Sequence, residues 1–120
     1  METFKKEYPF ELRKQQVQYI KTKYPDRIPV YIDKRKNDKN SPDIDKRKYL
    51  VNSDLTVSNF IYIIRKRMKI TPEKAIFVFV NNILPPNSAL IGELYTQQCD
   101  ADGFLYMTYA SEATFGFTTS

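Results

Sequence analysis

Residue types that usually carry out covalent chemistry are scarce in this sequence. It contains no histidine, and Cys99 is its only cysteine. A Cys–His dyad, a Ser–His–Asp triad and a Cys/His metal site therefore cannot form within the chain. Because there are only three glycines, a glycine-rich phosphate loop is excluded as well. The composition argues against an enzyme and predicts neither a cofactor nor a metal site.

The residues best suited to binding lie in the stretch 45–68. Three cations lead into a short β-prone run, Tyr49-Leu50-Val51, and a turn separates this run from an amphipathic helix that begins at Val57. Neighbouring side chains of the run point to opposite sides, and Ile63 lies beside the apolar stripe of the helix. This pattern is typical of a sheet edge that binds a peptide. Burial of Leu50 and Ile63 under the N-terminal segment would explain it equally well.

Charge is distributed unevenly along the chain. Residues 1–70 carry 18 Lys and Arg against 9 Asp and Glu, whereas residues 71–120 carry one against five. A basic half of this kind attracts acidic protein segments, anionic lipid or nucleic acid. It also serves solubility alone, which is the commoner role of scattered surface lysines.

Length and hydropathy indicate the class of protein. A chain of 120 residues with 42% hydrophobic content is expected to form one domain with a modest core. A lone cysteine excludes an intramolecular disulfide and fits a reducing compartment. No apolar run approaches the ~20 residues needed to cross a bilayer, and the first ten residues lack the apolar stretch of a secretion signal. We therefore expect a soluble, cytoplasmic protein.

Periodicity and turn residues predict eight elements. In chain order these are helices at Thr3–Lys6 and Glu11–Tyr24, strands at Arg27–Ile32 and Tyr49–Val51, a helix at Val57–Met68, a strand at Ile76–Val80, a short helix at Ser88–Tyr95 and a strand at Phe104–Tyr109. This is the order of the ubiquitin-like β-grasp, an α+β fold with a four-stranded mixed sheet, here with two additional N-terminal helices. Within a single domain we expect a helical extension packed on the core at 1–25, the β-grasp core at 26–110 and a flexible C-terminal tail at 111–120.

Several long motifs occur in a characteristic order. They are Tyr24-Pro25-Asp26-Arg27-Ile28-Pro29-Val30, Asp45-Lys46-Arg47-Lys48-Tyr49-Leu50-Val51, Ser53-Asp54-Leu55-Thr56-Val57, Ile64-Arg65-Lys66-Arg67, Phe79-Val80-Asn81-Asn82, Pro85-Pro86, Asp102-Gly103-Phe104-Leu105-Tyr106 and Phe115-Gly116. In these motifs the chain resembles the autophagy ubiquitin-like modifiers, the GABARAP-like proteins. The resemblance covers nearly the whole chain, and its variable parts are residues 33–42 and 117–120.

The resemblance implies that the C-terminal end is a site of cleavage and lipid conjugation. Members of the family are trimmed after a glycine by a cysteine protease, activated with ATP, passed through thioesters and joined to phosphatidylethanolamine on autophagosomal membranes. Gly116 matches that glycine, so cleavage of the Gly116–Phe117 bond would remove residues 117–120. Glycine suits this place because, without a Cβ, it threads narrow active sites and leaves its carbonyl open to attack.

The resemblance also implies a groove for aromatic-x-x-aliphatic motifs of cargo receptors, which bind as an added β-strand along Tyr49-Leu50-Val51. The aromatic pocket would be walled by Gln16, Ile20, Pro29, Tyr31, Lys48, Leu50 and Phe104. The aliphatic pocket would be formed by Tyr49, Val51, Leu55, Phe60 and Ile63. The acidic flank of the motif would be attracted by Arg27, Lys46 and Arg67.

Other functions fit parts of the same sequence. The apolar pair Phe77 and Phe79 is a candidate for a second docking face. A β-grasp adaptor that is never conjugated would keep the groove without using Gly116. A basic domain that binds tubulin or RNA would use the N-terminal lysines and the tyrosines. Because no RNA-binding motif accompanies them, we expect no nucleic-acid partner and retain microtubules as a candidate.

Overall fold

A four-stranded sheet lies at the centre of the molecule. The computed structural model describes residues 1–113. Its helices are α1 (Glu2–Glu7), α2 (Phe10–Lys23), α3 (Val57–Met68) and α4 (Ile91–Gln98), and its strands are β1 (Arg27–Lys34), β2 (Lys48–Asn52), β3 (Phe77–Val80) and β4 (Leu105–Ala110). The strand order is β2-β1-β4-β3, in which β1 and β4 are parallel and the other two pairs are antiparallel. The predicted α+β class, mixed sheet and two N-terminal helices are confirmed.

The two faces of the sheet bury different clusters. Alternate residues of β1, namely Ile28, Val30 and Ile32, join the main core together with the inner side of α3. Tyr31 points the other way, into a smaller cluster with Phe4, Val17 and Phe104. Because β1 is buried on both faces, it is apolar at consecutive positions rather than alternating.

Helix α3 has well-defined ends. The Thr56 hydroxyl accepts a hydrogen bond from the Asn59 amide, and the Asn59 side chain accepts one from the Thr56 amide, both at 3.1 Å. This reciprocal capping box confirms Thr56 as the N-cap. At the other end Lys69 adopts the left-handed conformation with φ 57°, which ends the helix. Three apolar side chains of its inner face, those of Val57, Phe60 and Ile64, are buried.

Helix α2 is fastened to the turn that precedes β4. Arg13 Nε donates to the buried carboxylate of Asp102 at 2.7 Å, and the hydroxyl of Tyr106 donates to the same oxygen. Gly103 in this turn has φ +95°, and a Cβ there would lie 2.6 Å from Val17 Cγ1. Only glycine therefore allows α2 to approach the turn this closely.

Two parts of the chain differ from the sequence-based expectation. Helix α4 begins at Ile91, later than predicted, because residues 86–89 form a turn in which the Ala89 amide donates to the carbonyl of Pro86 at 3.1 Å. Ile44, which the periodicity assigned to no element, is buried in the main core. Its segment is held to the sheet by the Tyr109 hydroxyl, which donates to the Pro42 carbonyl at 2.6 Å.

Candidate peptide-binding site

Strand β2 forms one edge of the sheet. Within residues 1–113 it pairs with β1 alone. The Ile32 amide donates to the carbonyl of Arg47 at 2.9 Å. Since hydrogen-bonded and non-hydrogen-bonded positions alternate in an antiparallel ladder, the next hydrogen-bonded position on β2 is Tyr49. The amides and carbonyls of Lys48 and Leu50 therefore point to the free edge.

The side chains of β2 divide between the two faces of the sheet. Tyr49 and Val51 join the main core on the α3 side. Lys48 and Leu50 lie on the α2 side, where Lys48 Nζ donates to the side-chain oxygen of Gln16 at 3.2 Å. In an extended peptide, residues three positions apart also point to opposite faces. An added strand would thus direct side chains i and i+3 to the two different sides of this edge.

On the α3 side, two of the five residues predicted for the aliphatic pocket are accessible. Ile63 is 36% exposed, and Leu55 is half-buried against the main core. Phe60 is 0% exposed, and the Tyr49 ring meets it edge-on with the centroids 5.5 Å apart. Val51 is buried with them. A ligand would reach Ile63 and Leu55 without any rearrangement, whereas the other three are core residues.

On the α2 side, the accessible part of the predicted aromatic pocket is Leu50, which is 37% exposed, together with Lys48 of β2 and the half-buried Gln16 and Ile20 of α2. The three other predicted wall residues, Pro29, Tyr31 and Phe104, are buried. This side of the edge is therefore an accessible rim around a filled interior.

The interior is filled by Phe4, to which the sequence analysis assigned no role. Its ring stacks on Tyr31, with centroids 4.4 Å apart and planes at 20°, and meets Phe104 edge-on at 5.5 Å. The ammonium group of Lys48 lies 4.7 Å from the Phe4 centroid, and burial lowers the pKa of Lys48. Periodicity could not identify Phe4, because α1 has only six residues.

The three cations predicted to attract an acidic flank, Arg27, Lys46 and Arg67, are all exposed. Lys46 Nζ lies 5.0 Å from the centroid of the Tyr49 ring. Arg67 forms a two-point ion pair with Asp45, at 2.9 and 3.3 Å, and this hydrogen bonding lowers the pKa of Asp45. An acidic ligand would have to compete with Asp45 for Arg67, a relationship that the sequence pattern did not predict.

The remaining predicted sites lie elsewhere. Phe77 is half-buried, whereas Phe79 is 1% exposed and has the Arg35 guanidinium 4.2 Å from its ring centroid. Docking at this face would therefore involve Phe77 first. Gly116 and the Gly116–Phe117 bond lie outside the described residues. Within residues 1–113, no helix has both the length and the apolarity to span a bilayer, and no group of metal-binding side chains forms a site.

Comparison with known proteins identifies the family. A family model described as "Autophagy protein Atg8 ubiquitin like" matches residues 12–116. The chain belongs to the Atg8 family. It is 54% identical over 114 residues to autophagy-related protein 8d of Arabidopsis thaliana, which covers 95% of this chain and 94% of the relative. It is 52% identical over 115 residues to autophagy-related protein 8 of Candida glabrata, covering 96% and 97%.

A solved Atg8 structure shares the fold. The crystal structure of Trypanosoma brucei ATG8 matches with a TM-score of 0.86 at 40% sequence identity, over 94% of this chain and 97% of that chain. The resemblance inferred from the motifs is therefore confirmed, and the chain is a ubiquitin-like modifier of autophagy.

Proposed function

We propose that this Atg8-family chain is trimmed after Gly116 and joined through that residue to phosphatidylethanolamine. The match to the family model ends at Gly116, so it includes that glycine and leaves out residues 117–120. This is the division that cleavage after Gly116 would make. The chain itself acts as the modifier and carries out no catalysis.

The partners follow from this chemistry. A processing cysteine protease exposes Gly116, and activating and conjugating enzymes transfer it to the lipid. The protein is cytoplasmic before this step and resides on the autophagosome membrane afterwards. There it presents its peptide-binding edge to cargo receptors.

Peptide capture at β2 is the second part of the proposal, and the free edge of that strand is the observation that carries it. Lys48 and Leu50 direct main-chain donors and acceptors outward. Apolar side chains lie on both faces beside them, Leu50 on one and Ile63 on the other. A motif with an aromatic residue at i and an aliphatic residue at i+3 matches this division, because the two side chains of a strand then point to opposite faces.

Intact-mass measurement tests the conjugation proposal. Incubation in extract from starved cells should remove residues 117–120 from the wild-type chain and then add the mass of a phospholipid. Gly116→Ala should retain the tail or fail to receive lipid. Thr118→Ala, which lies beyond the scissile bond, is the matched control and should be processed normally. A wild-type chain that keeps its full mass would contradict this part of the proposal.

Titration with a synthetic peptide tests the groove. A peptide in which acidic residues precede a Phe-x-x-Leu core should bind with a micromolar dissociation constant, roughly −7 to −8 kcal/mol, as short added strands do. The same peptide with both core positions changed to Ala is the control and should not bind. Equal binding of the two peptides would show attraction to basic charge rather than a groove.

A further inference from the structure

Phe4 makes, from within the chain, the contacts that the proposed site would offer to a ligand's aromatic ring. Tyr31 supplies a stacked ring, Phe104 an edge-on ring and Lys48 a cation. These are the three interactions by which an aromatic side chain gains most beyond simple burial. Phe4 is only 5% exposed. A second ring therefore cannot take this position while Phe4 is in place.

An open groove leads up to the same position. It has a volume of about 470 Å³ and is lined by Tyr8, Leu12, Gln15, Gln16, Tyr19 and Ile20. Tyr8 lies between this groove and the filled interior, because its ring is 5.3 Å from that of Phe4 and 5.0 Å from the Lys48 ammonium. A peptide lying against Gln16 and Ile20 would therefore adjoin Phe4 without displacing α2.

Helix α1 is held less firmly than α2. It has six residues, and within residues 1–113 it has no side-chain N-cap hydrogen bond and one buried side chain, Phe4. Two of its ion pairs, Lys5–Asp100 at 3.4 Å and Glu2–Lys36 at 3.3 Å, are solvent-exposed and therefore weak. The third joins the N-terminal ammonium group of Met1 to the half-buried Asp33 at 2.6 Å, and opening would have to break it as well. So short a helix has little stability of its own.

The junction between α1 and α2 suits a hinge. Tyr8 and Pro9 are both extended, with ψ of 103° and 160°, and they separate the two helices. Arg13 of α2 is anchored by Asp102, so α2 stays in place whether or not α1 does. The bonds from Arg13 to the carbonyls of Lys5 and Tyr8, at 3.3 and 2.6 Å, are the ones that opening would break or rearrange.

We propose that α1 is an autoinhibitory element, in which Phe4 takes the place of the ligand's aromatic ring and must leave before a motif can bind fully. This inference rests on the proposed peptide-binding function. If a peptide binds only those molecules in which Phe4 has left the site, the apparent affinity equals the intrinsic affinity multiplied by the fraction of such open molecules. Peptide binding and the release of α1 are then coupled, and anything that stabilises α1 weakens capture.

Titration of the Phe-x-x-Leu peptide against wild type, Phe4→Ala and Phe10→Ala tests the proposal. Phe4→Ala should tighten binding by about three- to tenfold, because it removes the competing ring and shifts the population toward the open state. Phe10→Ala is the same substitution at an exposed position on α2 and should leave the dissociation constant unchanged. Unchanged or weaker binding by Phe4→Ala would overturn the inference, since Phe4 would then be a permanent part of the wall.

A second variant does not depend on truncating the core. The chain contains no tryptophan, so Phe4→Trp introduces a single one on α1, which can be excited at wavelengths where the nine tyrosines do not absorb. Adding the tryptophan-free peptide should shift its emission to longer wavelength and increase its quenching by iodide, as the indole leaves the cluster. In the control variant Phe10→Trp, the peptide should change neither the emission wavelength nor the quenching by iodide. An indole that stays protected at saturating peptide would also overturn the inference.

Leu50→Ala separates this inference from the function on which it rests. If Leu50→Ala weakens binding while Phe4→Ala does not tighten it, the groove is present and only the autoinhibition is wrong. If the peptide binds neither wild type nor Phe4→Ala, the groove assignment fails and the inference fails with it.

Discussion

Leu50 of β2 lies directly opposite Pro29 of β1, in a pair that shares no hydrogen bond. A proline has no amide hydrogen to donate, so at this position it leaves no gap in the β1–β2 ladder. The parallel register with β4 begins one residue later, at Val30. The same alternation turns the amide and carbonyl of Leu50 outward. Strand β1 can therefore contain a proline and still pair with β2, while β2 keeps its outer edge available for a peptide.

Leu50→Ala gives the cleanest test of the edge. The side chain is 37% exposed and lies outside the main core, so its truncation should leave stability almost unchanged. Loss of its apolar contact should weaken binding of the Phe-x-x-Leu peptide by about 1–2 kcal/mol. Calorimetric titration gives the affinity, and thermal unfolding of the same samples gives the stability. A Leu50→Ala variant with wild-type affinity would contradict the proposal that the peptide binds along β2.

Tyr49 needs a different substitution, because it belongs to the core. Tyr49→Ala should lower the free energy of unfolding by about 3–5 kcal/mol, since it leaves a cavity beside Phe60. Weak peptide binding by that variant would report lost structure. Tyr49→Phe should retain both stability and binding, because the hydroxyl is buried without a hydrogen-bond partner among residues 1–113. A marked loss in Tyr49→Phe would mean that the hydroxyl has a role in binding.

Sequence patterns predicted the elements whose environment is local. The stripe of α3 and its Thr56 cap follow from spacing within one helix, and the exposure of Ile63 follows from its place beside that stripe. The apolar residues on both sides of β2 predicted the sheet edge. In each case the residues that decide the structure lie within a few positions of one another.

Contacts between distant segments could not be predicted in this way. Phe4 reaches Tyr31 and Phe104 only because α1 folds back over the sheet, and a six-residue helix has no period to reveal its buried side. The pairing of Arg67 with Asp45 depends on how α3 lies against the segment before β2. Alternation also placed Tyr49 on one side of β2 without showing whether core or ligand covers it.

Asp45→Asn should release Arg67 for an acidic ligand. The two-point ion pair occupies the guanidinium, and Asp45 also repels an acidic flank. The variant should therefore bind an acid-flanked Phe-x-x-Leu peptide more tightly, and the gain should shrink as salt is raised, because screening acts over ~10 Å at 0.1 M. Asp43→Asn removes the same charge from a carboxylate paired with Lys34 instead. An equal gain from both variants would show a general charge effect, without release of Arg67.

Arg13 and Asp102 should be interdependent in stabilising the fold. Both side chains are buried, and the hydrogen bond to Asp102 raises the pKa of Arg13. Arg13→Met would leave the buried carboxylate of Asp102 without its ion-pair partner and should lower the free energy of unfolding by about 3–5 kcal/mol. Adding Asp102→Asn should recover part of that loss, because the amide carries no charge. Its oxygen can still accept from the Phe104 amide, and its NH2 group can donate to the Tyr106 hydroxyl oxygen. Denaturant unfolding of Arg13→Met, Asp102→Asn and the double variant measures this coupling, and strictly additive losses would contradict it.

Asp38, whose carboxylate accepts hydrogen bonds from Ser111 just after β4, should make the stability of the fold depend on pH. Burial alone would raise the pKa of Asp38, but hydrogen bonds from the Asn40 amide and from the amide and hydroxyl of Ser111 lower it. A carboxylate whose pKa is lower in the folded state stabilises above its unfolded value of about 4 and loses that contribution as pH falls below it. Asp38→Asn should therefore show a smaller drop in melting temperature than wild type between about pH 5 and pH 3. The exposed carboxylate Asp54, changed to Asn, is the control, and an identical pH profile for Asp38→Asn and wild type would contradict the assignment.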